Sequence, residues 1–222
     1  MNDFTPARPH RLRFRFERRD GAAALSQLEQ IKKLRGFFTA SGLPVAMSGT
    51  LPKIAFGPAI AAGYESMAEY ADVFLSESVP AGEASAKVAA VTGEGFVLAD
   101  VKRIPAAFPS LESLVTVAEF EIRGEALARP PFPAEDLLGL TSLPVTRVKK
   151  GLTETVDARP AIAAVSQDPD GAVRLLLRLG GGRGVKPENV VAAWLGLTSA
   201  PPLKIVRKQL YWENENGGLE AP

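Results

Sequence analysis

Between Arg11 and Phe16 the chain alternates strictly: Arg, Leu, Arg, Phe, Arg, Phe. A period of two places Leu12, Phe14 and Phe16 on one face of a strand and three guanidinium groups on the other. Such a strand must lay its apolar face on another element. The residues that follow supply one. Asp20-Gly21 signals a turn, and Leu25, Leu28, Ile31, Leu34 and Phe38 then recur at steps of three and four. That spacing predicts an amphipathic helix, stopped by Gly42 and Pro44. A short strand at Lys53–Phe56 is broken by Gly57-Pro58, and a second is expected over Tyr70–Leu75. Pro80 can open a helix lined by Ala84, Val88 and Val91, which Gly93 and Gly95 close before a strand at Phe96–Val101. The order is strand, helix, strand, strand, helix, strand.

The pattern returns in the second half. Val115–Ile122 reads as a strand whose apolar phase slips at Val117-Ala118, and Pro133–Leu140 as a short helix. Val145–Val156 and Ala161–Ser166 are extended, and Asp168-Pro169-Asp170-Gly171 is a strong turn. Val173, Leu175, Leu177 and Leu179 alternate with Arg174 and Arg178, Pro187 opens a helix, and Lys204–Trp212 forms a last strand. The expected fold is α+β: two tandem ferredoxin-like βαββαβ units, each with an antiparallel sheet and both helices on one face. The second half has one extended stretch too many for this scheme. The length, 222 residues, suits two domains. Their expected bounds are 1–104 and 114–213, with a linker at 105–113 and a frayed tail at 214–222.

Composition removes several chemistries. The chain has no cysteine and one histidine, which excludes disulfides, thiolate metal sites, cysteine nucleophiles and multi-histidine centres. No metal and no cofactor is therefore expected. Basic residues number 26 and acidic residues 25, so any polyanion-binding surface has to be local. No apolar run is long enough to span a bilayer, and Met1–Phe4 lacks a signal-peptide profile. A cytoplasmic location with no membrane partner is the expectation. Gly180-Gly181-Gly182-Arg183-Gly184 precedes a helix but lacks the Gly-Lys-Ser/Thr of a nucleotide P-loop and reads as a flexible connection.

Arg11, Arg13 and Arg15 on one strand face would form a cationic ridge suited to nucleic-acid phosphates. The competing reading is an ordinary sheet face, with the guanidiniums paired to Asp72, Asp100 or Glu121 of adjacent strands. Further basic clusters are Arg147, Lys149, Lys150 and Arg159, and Lys204, Arg207 and Lys208. Glu65, Glu69 and Asp72 are close enough in sequence to suggest acid–base work, but no nucleophile or histidine accompanies them, and turn capping explains them as well. His10, alone in an Arg-rich segment, reads as a surface residue.

Pro52–Ala59, with Lys53 and Phe56-Gly57-Pro58, followed by Gly63, Glu65-Ser66 and Glu69-Tyr70-Ala71-Asp72, resembles the radical SAM-linked protein family. The resemblance extends to the Arg-rich strand and its helix, to Lys149-Lys150-Gly151, to Asp157-Ala158-Arg159-Pro160, to Val185–Glu188 and to the last strand with Arg207. Members often carry Leu-Ser-His-Leu-Asp at the start of the first helix; here the stretch is Leu25-Ser26-Gln27-Leu28-Glu29, with Gln27 in place of the histidine. The resemblance implies a radical SAM enzyme as partner. A chain without cysteine cannot hold the cluster of such an enzyme, so this one is expected to be an accessory that presents substrate, RNA above all. Arg11, Arg13, Arg15, Lys53, Lys149, Lys150 and Arg159 are the expected phosphate contacts, and no catalytic residue is assigned. The alternatives are a module that docks on the partner through an apolar patch near Phe108, Phe132 or Trp212, and a stand-alone enzyme using Glu65, Glu69 or Asp72.

Overall fold

The computed structural model describes residues 10–128, 130–149, 151–180 and 184–222. The fold is α+β, and the chain divides between Leu114 and Val115 into two compact units.

In the first unit, strand β1 (His10–Arg18) is followed by helices α1 (Asp20–Ala23) and α2 (Gln27–Ala40). A small hairpin, β2 (Met47–Ser48) and β3 (Leu51–Pro52), leads into β4 (Ile54–Phe56) and β5 (Glu65–Leu75). Helix α3 (Ala81–Ala89) and strand β6 (Phe96–Ile104) follow, then the short helix α4 (Leu111–Leu114). The sheet order is β4-β5-β1-β6, antiparallel throughout. The alternation of β1 works as the sequence dictates. Leu12, Phe14 and Phe16 are fully buried with Ala71, Val73 and Leu75 of β5, beneath Leu34, Phe37 and Phe38 of α2 and Ala84 and Val88 of α3. Phe38 meets Phe14 and Phe16 edge to face at centroid distances of 4.9 and 5.9 Å. Each such buried ring or Leu contributes about 1.5–3 kcal/mol.

Helix α2 starts at a capping box, in which the Ser26 hydroxyl accepts from the Glu29 N–H and the Glu29 carboxylate accepts from the Ser26 N–H. Its buried face differs from the expected one. Leu28 is 77% exposed, while Gln30 is buried with Leu34, Phe37 and Phe38. Residues 30, 34, 37 and 38 follow the helical period as well as the all-apolar set does, and Gln30 is drawn inward by polar partners described below. Gly95 has φ +84°, and a Cβ there would lie 2.5 Å from the Arg19 carbonyl oxygen, so the close return of the chain onto the end of β1 needs glycine.

The stretch 105–113, expected as a linker, packs onto the first unit. Leu111 is fully buried, α4 contacts β4 and β5, and the Phe108 and Pro109 carbonyls accept hydrogen bonds from Arg11.

The second unit opens with β7 (Val117–Arg123). Where a first helix was expected there are 3₁₀ turns at Glu125–Ala128 and Ala134–Gly139. Strands β8 (Pro144–Lys149) and β9 (Leu152–Asp157) pair only with each other, which accounts for the surplus extended stretch. Strands β10 (Ile162–Gln167) and β11 (Val173–Arg178), helix α5 (Pro187–Trp194) and strand β12 (Lys204–Glu213) complete the unit, with sheet order β10-β11-β7-β12. The phase slip at Val117-Ala118 corresponds to two consecutive buried residues on β7; the bulge itself lies on β12, between Arg207 and Gln209. The tail expected to fray turns at Asn214–Gly218 and pairs β13 (Leu219–Glu220) with Trp212 and Glu213. The Asn214 side chain fixes that turn by accepting from the N–H groups of Asn216 and Gly218.

Candidate functional site

Directly opposed residues of an antiparallel pair point to the same side of the sheet. Arg11 opposes Phe74 and Ile104, Arg13 opposes Asp72 and Lys102, and Arg15 opposes Tyr70 and Asp100. The face of the first sheet away from α2 and α3 is therefore built from these nine residues, as the alternation of β1 requires.

Asp72 is the hub of this face. It is fully buried and accepts from both arginines, Arg11 through Nε at 3.1 Å and through Nη2, and Arg13 through Nε at 2.7 Å and Nη2 at 2.9 Å. Arg11 and Arg13 are 3% and 1% exposed. This corrects the expectation that they stand out as phosphate contacts: the pairing with Asp72 that competed with the ridge is what forms. Their side chains also stack, Arg11 over the ring of Phe74 at 5.4 Å and Arg13 over that of Phe108 at 5.8 Å. One carboxylate serves two guanidiniums, so the buried group keeps a net positive charge.

Three further cations belong to this face. Arg15 is half-buried, and Lys53 and Lys102 are exposed. Lys53 Nζ lies 4.6 Å from the centroid of the Phe74 ring, which fixes the side of the sheet it occupies. Arg15, Lys53 and Lys102 have no carboxylate within ion-pair distance among the described residues. These positions hold five cations, Arg11, Arg13, Arg15, Lys53 and Lys102, against two carboxylates, Asp72 and Asp100, while Glu17, next along this side of β1, pairs with Arg19, which leaves an excess of three positive charges.

A second buried polar group lies on the helix side of the same sheet. Past a register shift in β1, Arg18 turns toward α2 and is fully buried. Its Nη1 donates to Gln30 Oε1 at 2.5 Å, and its Nη2 donates to the carbonyls of Ala23 and Leu25 at 2.7 and 2.8 Å. Gln30 Nε2 in turn donates to Glu69 Oε2 at 2.5 Å. Gln27 Oε1 accepts from the Ile60 N–H at 3.3 Å, and the Gly63 N–H donates to the Ala23 carbonyl at 2.7 Å. The start of α2 and the loop after Phe56-Gly57-Pro58 are joined by these bonds, although more than 30 residues separate Gln27 from Ile60.

The remaining expected residues have local roles. Phe56 lies under the Arg35 guanidinium at 5.7 Å, the Gly57 N–H donates to the Tyr70 carbonyl, and Pro58 and Glu65 are half-buried. Buried Ser66 accepts from the Ala68 N–H. Glu69 and Asp72 lie on opposite faces of β5 and are held by Gln30 and by the two arginines respectively, so the three acids of the enzyme alternative do not converge. Phe108 covers Arg13, Phe132 packs against Trp194, and Trp212 is half-buried.

The second unit's cations are largely committed. Arg159 donates to the carbonyls of Leu138 and Ile162, beside an Asp157 carboxylate held below its usual pKa by the Leu143 and Arg159 N–H groups. Arg147 pairs with Glu154, Arg174 with Glu119, Arg123 with Glu121 and Asp170, and Lys208 with Glu121. Arg207, expected in a basic cluster, is buried. The side chain of Lys149 and all of Lys150 lie outside the described residues, as do Gly181, Gly182 and Arg183 of the glycine run.

Gln30 and Lys102 were not singled out from the sequence. Lys102 had a signal, since Asp100 and Lys102 alternate with Val101 in the manner of β1. Gln30 had one too, on the helical ladder that ends at Phe37 and Phe38. Among the described residues no three His, Asp or Glu side chains gather as metal ligands, and no helix is long and apolar enough to cross a membrane. A family model described as an uncharacterised protein conserved in bacteria, DUF2344, matches residues 11–187. No curated protein matches the chain.

Proposed function

The chain belongs to this conserved bacterial family, DUF2344, and from that premise we propose that it is a non-catalytic accessory module that holds a polyanionic substrate, RNA, on the open face of its first sheet. The observation that carries this reading is the excess of three positive charges on one sheet face, where Arg15, Lys53 and Lys102 have no carboxylate partner among the described residues and a buried Arg11–Asp72–Arg13 group forms the base. A neutralised sheet would not attract phosphates, and the second unit's surface, where cations alternate with carboxylates, illustrates that case. Arg11 and Arg13 contribute through their net charge and by fixing the face; Arg15, Lys53 and Lys102 make the contacts. The partner suggested by the sequence resemblance is a radical SAM enzyme, which would supply the bond-making chemistry. The strand order shared by both units supports reading each as ferredoxin-like, with 3₁₀ turns and the β8–β9 hairpin in place of the second unit's first helix.

The test is a salt titration of single-stranded RNA binding. Removing one cation that touches a phosphate should lower the slope of log K against log salt by about 0.7. The K53A/K102A variant should therefore reduce it by about 1.4, while Lys87→Ala, on α3, should leave it unchanged. Absence of binding at low salt, or an unaltered slope in the double variant, would refute the reading. Retention of a radical SAM partner by a protein that binds no RNA would favour the docking alternative.

A further inference from the structure

We propose that β6 is a self-association edge: two copies of this chain pair their β6 strands antiparallel about a two-fold axis at Val101. Strand β6 ends the sheet order and, among the described residues, pairs only with β1. About half of the N–H and C=O groups of its nine residues therefore point away from the sheet. Val97, Ala99, Asp100, Lys102 and Arg103 along it are exposed. An unpaired edge of this length is a template for another strand.

Charge selects the occupant. Charged side chains on an edge ordinarily keep copies apart, because like charges meet across the pair. In a two-fold antiparallel pair one residue faces its own copy, and the residues before and after it face each other. A register centred on Asp100 or on Lys102 sets like charges on the axis, and one centred on Arg103 sets two guanidiniums there. A register centred on Val101 places Asp100 of each copy opposite Lys102 of the other. Neither residue has an ion-pair partner among the described residues. Both lie on the open face, opposite Arg15 and Arg13 of β1.

The rest of that register fits. On the helix side the two Val101 side chains, each half-buried against the core, meet at the axis as a β-branched pair. Arg103, held by Ser78 Oγ at 3.2 Å and the Val79 carbonyl at 3.0 Å, comes opposite the small Ala99. Ala99 is the extra residue of a bulge, between Leu98 opposite Phe16 and Asp100 opposite Arg15. The bulge ends the regular ladder and keeps it short. Each copy spends its free β6 edge, so association through it closes at two. A single strand edge buries less than the roughly 1,200 Å² of a standard interface, so the dimer is weak and forms at about 0.1 mM. The axis is normal to the sheet, and both cationic faces lie on the same side of the pair. Lys102 has three N–H donors and keeps some of them beside one carboxylate. Self-association rests on this edge and not on the RNA reading, and it is measured without RNA.

The full chain is followed from about 10 µM to about 1 mM by sedimentation velocity, and exchange of the β6 amides by NMR. Dimer should form over this range, and the outward amides of residues 99–103 should gain protection with it. Asp100→Lys and Lys102→Asp should each weaken self-association about tenfold or more, because each sets like charges opposite one another at both symmetric positions. An equimolar mixture of the two single variants should dimerise again, since opposite charges then meet at both positions, and D100K/K102D should do so alone. A variant that had merely failed to fold would not be rescued by mixing. A chain still monomeric at about 1 mM overturns the proposal and leaves the edge to a strand of another protein. A dimer that neither single variant weakens, or that mixing does not restore, overturns it as well. Each of these results leaves the salt titration of RNA binding to be decided on its own.

Discussion

Replacing Asp72 by Asn tests the physical core of the first unit. The carboxylate is fully buried and accepts four N–H bonds from two guanidiniums that are themselves at most 3% exposed. Breaking a buried ion pair typically costs about 3–5 kcal/mol, chiefly because the partner charge is left without compensation. Here two charges are left together and repel each other, while the Asn amide keeps one acceptor oxygen. These effects place the loss near the upper end, about 4–5 kcal/mol. At roughly 2–4 °C per kcal/mol for a chain of this size, the melting temperature should fall by about 8–20 °C. Thermal and urea unfolding followed by circular dichroism measure this, with Asp100→Asn as the control: Asp100 is exposed and has no ion-pair partner among the described residues, and its replacement should shift stability by no more than about 0.5 kcal/mol. Exchanging the triad for apolar residues of similar volume, R11M/R13M/D72L, should recover most of the loss, because it removes the charges as well as the pairing. A loss below about 1 kcal/mol in Asp72→Asn, or a triple variant weaker than the single one, would show that the site is solvated and would refute the reasoning.

Two further outcomes follow from the same unit. Gln30→Leu should cost about 1–3 kcal/mol despite the gain in apolar area, since it strips Arg18 Nη1 and Glu69 Oε2 of a buried partner; a stabilised variant in urea unfolding would contradict that. Gly95→Ala should destabilise by about 1–3 kcal/mol through positive φ and contact with the Arg19 carbonyl, whereas Gly36→Ala, in the open on α2, should gain about 0.5–1 kcal/mol; equal effects would deny the close approach.

Much of the site region can be anticipated from local pattern and much cannot. The side of β1 taken by each arginine follows from alternation, because pleat geometry is local. Whether those arginines meet solvent does not, since Asp72 lies about 60 residues away and comes opposite Arg13 only through the register of β5. Leu28 fits a helical stripe as well as Gln30 does, but only the assembled core supplies Arg18 and Glu69 as partners that draw the amide inward. The stretch 105–113 reads as a linker from its prolines and serines; its packing onto the sheet depends on the guanidinium of Arg11, which offers donors to two of its carbonyls.

What the residue order determined by itself was most of the succession of strands and helices in the first unit, the face each side chain of β1 takes, and the chemistry excluded by the lack of cysteine. Those are properties of dihedral preference, side-chain period and atom type, and they act over a few residues. The tertiary structure alone decided which cations are neutralised and which stay free, because a charge's partner and its dielectric surroundings are set by segments distant in the chain. That is why Arg11 and Arg13 became a buried base, and why Arg15, Lys53 and Lys102 have no carboxylate partner among the described residues.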